Sequence, residues 1–259
     1  MGSAVSASER AIVLQTIVGA VKPSPQVYAA WLEGSDAMGY ADAYSDLDLW
    51  LDVADGAEDA VFALIRRTLL TLGELDIDYE REHPHPQIRQ AFFHVAHMSP
   101  YLLVDLCIQA HSRDRRATSF IPDLDGVKVL FDKAQVVMFV EEKPWEDPQQ
   151  QLVVIRQEFS IFQRWVEKCL HRGDFLEALA AYHHYTLEPL VTLLRLHYIP
   201  AKADYHLKHS RQDLPAAVVA RLERLYGVSS LAEIATAHAQ ACVWFQQLLG
   251  RDFGDEEDV

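Results

Sequence analysis

The chain has 259 residues, half of them hydrophobic and 24% charged, an ordinary globular balance with room for one large domain or two modest ones. Its 38 acidic and 23 basic residues leave a formal charge of −15, which argues against a broad basic surface for gripping extended nucleic acid and suits a small cationic partner. No window stays apolar over the roughly 18 residues that a membrane-spanning helix needs, so no membrane partner is expected.

Residues 7–21 read as a helix, capped by Ser6 with Glu9 behind it and carrying an apolar stripe of Ile12, Val13, Ile17 and Val18. The first residues hold no apolar segment of signal-peptide form, and Met1, Gly2 and Ser3 read as an expression scar. Pro23 and Pro25 break the helix. A strand over 27–33 then runs into the pair Gly34-Ser35, and a polar connection containing Gly39 ends at Ser45.

The next strand, 46–53, is the most informative. Leu47, Leu49, Leu51 and Val53 alternate at period two and demand a core on one face. Asp46 and Asp48 therefore share the other face, about 6.5 to 7 Å apart along the chain. Like charges at that spacing repel unless something positive lies between them. A hard divalent cation is the simplest candidate, and magnesium takes one or two carboxylates together with substrate phosphates. Glycine at 34 permits a tight turn and close approach of backbone to a ligand, and successive N–H groups with the Ser35 hydroxyl suit phosphate oxygens. No Gly-Lys-Ser/Thr follows, so this is not a Walker loop, and no Gly-x-Gly-x-x-Gly is present. A plain solvated Asp-x-Asp is the competing reading. The neighbouring turn favours phosphoryl or nucleotidyl transfer with a metal.

A helix over 57–72 closes at Gly73, and strands follow over 75–79, 90–97 and 101–108. In the last of these Asp105 is the only charge in an apolar run, costly there unless paired, hydrogen-bonded or bound to metal. Asp114, Asp123 and Asp125 fall in a loop around 112–126 and read as solvated. A short strand and turn within 127–140 end the first half, and the proline- and charge-rich stretch 141–148 reads as a boundary. Beyond it, 149–171, 174–198, 213–226 and 230–250 read as helices of a small bundle. The acidic end, 252–259, reads as a solvated tail. Cys107, Cys169 and Cys242 lie far apart in apolar surroundings without zinc spacing, as free thiols of a reducing compartment would, so a cytoplasmic location is expected.

Gly34-Ser35, Gly39 and Ser45-Asp46-Leu47-Asp48-Leu49 together resemble the signature of the nucleotidyltransferase superfamily of the DNA polymerase beta type: Gly-Ser, a spacer of about ten residues, then Asp-hydrophobic-Asp. The layout is most similar to the bacterial enzymes that adenylylate aminoglycoside or lincosamide antibiotics. The resemblance covers residues 24–110 by motif and the whole chain, more loosely, by domain order. It implies an α+β protein: a nucleotidyltransferase mixed sheet with flanking helices over 1–145, then a helical bundle over 146–259. It implies ATP or another nucleoside triphosphate as co-substrate, held by Gly34, Ser35 and Ser45, and Mg2+ held by Asp46, Asp48 and Asp105. Asp105 matches the family's third acid by order and strand context, either as a metal ligand or as base toward a substrate hydroxyl.

Two further groups have paired readings. Glu188, on one helix face with His184, is either an acceptor-orienting carboxylate or general base, or a surface glutamate beside Pro189. Lys208 and Arg211 either reach the nucleotide phosphates, as basic residues of the second domain do in relatives, or balance nearby acids. His183 and His184 are adjacent and do not form a zinc pair. The expected activity is transfer of a nucleoside monophosphate, AMP first, to a hydroxyl of a small molecule, with an aminoglycoside-like antibiotic and hence antibiotic resistance foremost. The alternatives are a protein adenylyltransferase of antitoxin-like type, a transferase on RNA ends, and a catalytically silent nucleotide-binding protein. Monomer and homodimer stay open.

Overall fold

The computed structural model describes residues 2–122, 124–141 and 148–250. Met1, Asp123, most of the 141–148 boundary and the acidic end lie outside them. The chain divides into two compact units, Met1–Lys143 and Pro144–Val259. The architecture is α+β, with a mixed sheet and flanking helices followed by a helical bundle.

In the first unit, β1 (Val27–Leu32), β2 (Leu47–Val53), β3 (Leu75–Arg81), β4 (Ile88–Val95), β5 (Val104–Ala110) and β7 (Lys128–Asp132) form one sheet, ordered β3-β4-β5-β2-β1-β7. Strands β2 and β5 run parallel; the other pairs are antiparallel. The period-two reading of β2 holds: Leu47, Leu49, Leu51 and Val53 are fully buried. They pack with Val13, Ile17 and Val21 of α1 (Gly2–Val21) and Val61, Phe62, Ile65 and Leu69 of α3 (Glu58–Leu69). At about 1.5 to 3 kcal/mol for each fully buried aliphatic side chain, this face fixes the strand's register. The opposite face carries Asp48, Trp50 and Asp52 on β2 and Asp105, Cys107 and Gln109 on β5. Part of it is roofed where Trp31, Phe120 and Val136 form a smaller cluster, beside the short parallel pair β6 (Ser119–Phe120) and β8 (Met138–Phe139).

Helix α1 begins earlier than the sequence suggests, at Gly2. The stretch after β1 is not plain loop but a short helix, α2 (Gly34–Met38). It stops at Gly39, whose left-handed φ of 77° lets its N–H bond back to the Ser35 carbonyl. In the loop around 112–126, Asp114 caps a 3-10 turn, Arg115–Thr118, and pairs with Arg116. Asp125 accepts from the Ile121 N–H at 2.6 Å.

The second unit consists of α4 (Pro148–Arg172), α5 (Phe175–Tyr182), α6 (Glu188–Tyr198), α7 (Ser210–Asp213), α8 (Ala216–Tyr226) and α9 (Leu231–Leu249). Phe159 and Phe245 stack at its centre, ring centroids 3.6 Å apart. Helices α5 and α6 are joined by a π-helical turn, His183–Leu187. Pro189 has no N–H to give to the carbonyl four residues back, that of Tyr185. Gln163 Nε2 of α4 donates to that carbonyl instead, at 2.8 Å. Gln163 Oε1 in turn accepts from the Thr186 hydroxyl at 2.7 Å and from His238 Nε2 at 3.0 Å.

Candidate active site

The site is assembled where β1 ends and β2 begins. Gly34 has φ of 65°, and a Cβ built on it would stand 2.3 Å from Asp48 Oδ2. Only glycine fits, because the conformation is left-handed and the Asp48 carboxylate already occupies the space a side chain would take. The turn is tied from below by Arg10 of α1, itself only 8% exposed. Its guanidinium donates to the Asp36 carboxylate of α2 at 2.5 Å, to the Asp46 carbonyl at 2.9 Å and to the Ser45 carbonyl. One buried cation thus holds the Gly34-Ser35 turn and the entry to β2 in a single arrangement. Burial raises the Asp36 carboxyl above its usual range, with Arg10 pulling the other way.

Asp46 lies exposed at the last loop position before β2, and Asp48 is half-buried on the strand. Asp48 pairs in parallel register with Asp105, so the two sit side by side on neighbouring strands, about 4.8 Å apart in backbone. Both oxygens of Asp105 accept from Gln90 Nε2 of β4, at 2.7 and 3.0 Å. Glu33 accepts from the Trp31 indole N–H at 2.8 Å. Burial raises the Glu33 carboxyl, the Trp31 bond opposes that, and Asp48 adds to it. Burial also pushes the Cys107 thiol up, with Asp105, Glu33 and Asp48 adding and Arg113 opposing. Cys107 is buried, and a thiol kept protonated in this way is a poor nucleophile. Arg113 donates to Gln109 Oε1 at 2.8 Å, and its guanidinium lies 5.9 Å from the Trp50 ring centroid. Among the described residues, no group of three or more His, Cys, Asp or Glu is arranged to hold a metal ion.

The other residues singled out by sequence lie elsewhere. The Ser45 hydroxyl donates to Asp42 within its own turn, at 3.0 Å. In the second unit, Glu188 pairs with His184 at 2.9 Å and borders a cavity of about 500 Å3 that Glu158, Phe162 and Tyr185 also line. Lys208 is exposed, and Arg211 pairs with Glu223 at 2.7 Å. The buried cations of that stretch are Arg195 and Lys202, both bound to Asp213. Sequence reasoning missed Arg10, Glu33 and Gln90. Gln90 shares its face of β4 with Ile88, Phe92 and His94, so alternation alone did not single it out. Arg10 carried no local signal, because only folding brings it to the turn, whereas Trp31 and Glu33 lie two residues apart, a local spacing that could have pointed to their contact.

Across residues 8–251 the chain matches the family described as streptomycin adenylyltransferase. Among solved structures it is similar to an aminoglycoside 6-adenyltransferase from Bacillus subtilis, at 15% identity and a TM-score of 0.40, over 92% of this chain and 88% of that one. It is also similar to a spectinomycin adenyltransferase from Enterococcus faecialis solved with ATP and spectinomycin, at 12% identity and a TM-score of 0.32, over 95% and 91%. A STING-associated c-di-GMP synthase from Capnocytophaga granulosa aligns at 14% identity and a TM-score of 0.33, over 94% and 80%. No curated protein matches the chain.

Proposed function

The chain belongs to the streptomycin adenylyltransferase family, enzymes of the nucleotidyltransferase class, and we propose that it moves AMP from ATP to a hydroxyl of a small molecule with Mg2+. The observation that carries this reading is the contact of Asp48 with Gly34, which puts a carboxylate against the backbone of the turn that seats a triphosphate in this family. The residues present fit a magnesium ion. Asp46 and Asp48 offer hard oxygens two residues apart, Asp105 stands in register beside Asp48, and the absence of a side chain at Gly34 lets the Asp48 carboxylate lie against the backbone of the turn. When bound, the ion supplies Lewis-acid stabilisation of charge on the phosphates.

In this mechanism Gly34 and Ser35 seat the triphosphate, and Asp46 and Asp48 would hold the ion. Asp105 is either a third ligand or the group that takes the hydroxyl proton as the substrate oxygen attacks the α-phosphorus. A new phosphorus–oxygen bond forms, the bond from the α-phosphorus to the bridging oxygen breaks, and pyrophosphate leaves with that electron pair. Ser45 acts through the geometry of its turn.

For the acceptor, the cavity in the second unit offers Glu158 and Glu188 beside Phe162 and Tyr185. Carboxylates next to aromatic faces suit a protonated amine, and the acidic surface raises the local concentration of such a compound. An aminoglycoside is the first compound to try, with Glu188 as the carboxylate that orients it. Among the described residues no helix is long and apolar enough to cross a membrane.

The test is a screen of nucleotides against antibiotics and hydroxyl-bearing metabolites, reading pyrophosphate release. Release should require ATP, magnesium and one small molecule. Labelling of the protein itself or of a partner protein, with no release on any small molecule, would replace this reading with protein adenylylation.

A further inference from the structure

Asp48 and Asp105 are register partners on adjacent strands, yet their contacts draw them to opposite sides. Asp48 Oδ2 packs on Gly34, on the β1 side of β2. The Asp105 carboxylate is taken from the β4 side, where Gln90 Nε2 donates to both of its oxygens at 2.7 and 3.0 Å. Chemistry fixes the orientation of that amide: turned over, it would set its own carbonyl oxygen against a carboxylate. Gln90 stands opposite Cys107 and Asp105 opposite Phe92, so the glutamine reaches diagonally along the polar face of the sheet. The donor is neutral. It fixes an anion in place without adding a cation that would compete for the same carboxylates.

We propose that Gln90 is a positioning residue that holds Asp105 apart from Asp48. It leaves Asp46 and Asp48 as the metal pair and keeps Asp105 as the proton acceptor for the substrate hydroxyl. This rests on the reading of Asp46, Asp48 and Asp105 given under Proposed function. It also settles between the two roles open to Asp105 there.

The test is Gln90→Leu, which keeps the bulk of the side chain and removes the donor. Mn2+ alone is titrated into the nucleotide-free protein and followed by electron paramagnetic resonance. Freed from Gln90, Asp105 can join the ion as a third ligand, so Mn2+ should bind at least about threefold more tightly, and a cycle with Asp105→Asn should remove the gain. In the same variant kcat should fall about tenfold or more, with KM for ATP nearly unchanged, because the base has been diverted. Mere loosening of the sheet would weaken metal binding, so tighter binding is specific to the proposal. Unchanged or weaker Mn2+ binding in Gln90→Leu overturns it. A wild-type protein that binds no Mn2+ counts against the proposed function itself. The side-chain amide resonances of Gln90 then decide the restraint: a shift in Asp105→Asn upholds it, and no shift overturns it.

Discussion

Asp48 and Gly34 fill one another's space: the carboxylate oxygen of the first stands 2.3 Å from where a Cβ on the second would be. Gly34→Ala therefore cannot be accommodated without moving Asp48 or the turn, and alanine is also strained at φ of 65°. Displacing a reacting group by about 1 Å costs roughly 100-fold in rate. The expected result is a loss of that size in pyrophosphate release, together with about 1 kcal/mol of stability. Steady-state kinetics and a denaturant titration measure both, and a fully active Gly34→Ala would remove Asp48 from the site.

Asp46→Asn and Asp48→Asn should each abolish transfer while leaving the fold intact. Asp48 lies half-buried beside Asp105 in register, so neutralising it relieves repulsion in the ion-free protein. The melting temperature of magnesium-free Asp48→Asn should equal or exceed that of the wild type. Near-normal turnover in either variant, with an acceptor in hand, would make the metal assignment wrong.

His94 is buried, with Nδ1 2.5 Å from Asp76 and Nε2 2.9 Å from the Ser99 carbonyl. Burial works against its charged form, but the Ser99 carbonyl and Asp76 outweigh burial and raise its pKa above 6.5. Folding thus favours the protonated ring. That contribution is fully present below the unfolded value of about 6.5 and is lost as pH rises through the raised folded value. Urea midpoints across this range should fall more steeply for the wild type than for His94→Phe. Equal slopes would show that the ring does not titrate as argued.

Gln163 carries the π-helical turn on its amide, giving to the Tyr185 carbonyl and receiving from Thr186 and His238. Gln163→Leu strands all three groups in or near the core, and each unsatisfied buried group costs about 1 to 3 kcal/mol. Thermal unfolding should begin several degrees lower. An unchanged melting temperature would mean that the turn is held by something else.

What local sequence determined is whatever depends on neighbours along the chain. The alternation of Leu47, Leu49, Leu51 and Val53 dictated a strand with one buried face, and so turned Asp48 to the other, while Asp46 lies one position before the strand begins. Gly34-Ser35 marked the turn, and the helical periodicity beyond the boundary marked the bundle. The tertiary structure alone decided which residues meet across the sheet. Strands β3 and β4 intervene in sequence between β2 and β5, yet β5 lies directly beside β2, and that order sets Asp105 next to Asp48 and Gln90 against Asp105. The same holds for Arg10, brought from α1 to the Ser45 and Asp46 carbonyls. It holds too for the basic stretch 202–211, whose cations look alike in sequence. Lys202 is buried on Asp213, while Lys208 and Arg211 remain exposed. Periodicity encodes which face of an element is buried, but not which partner waits there, because pairing between distant segments is fixed only when the whole core closes.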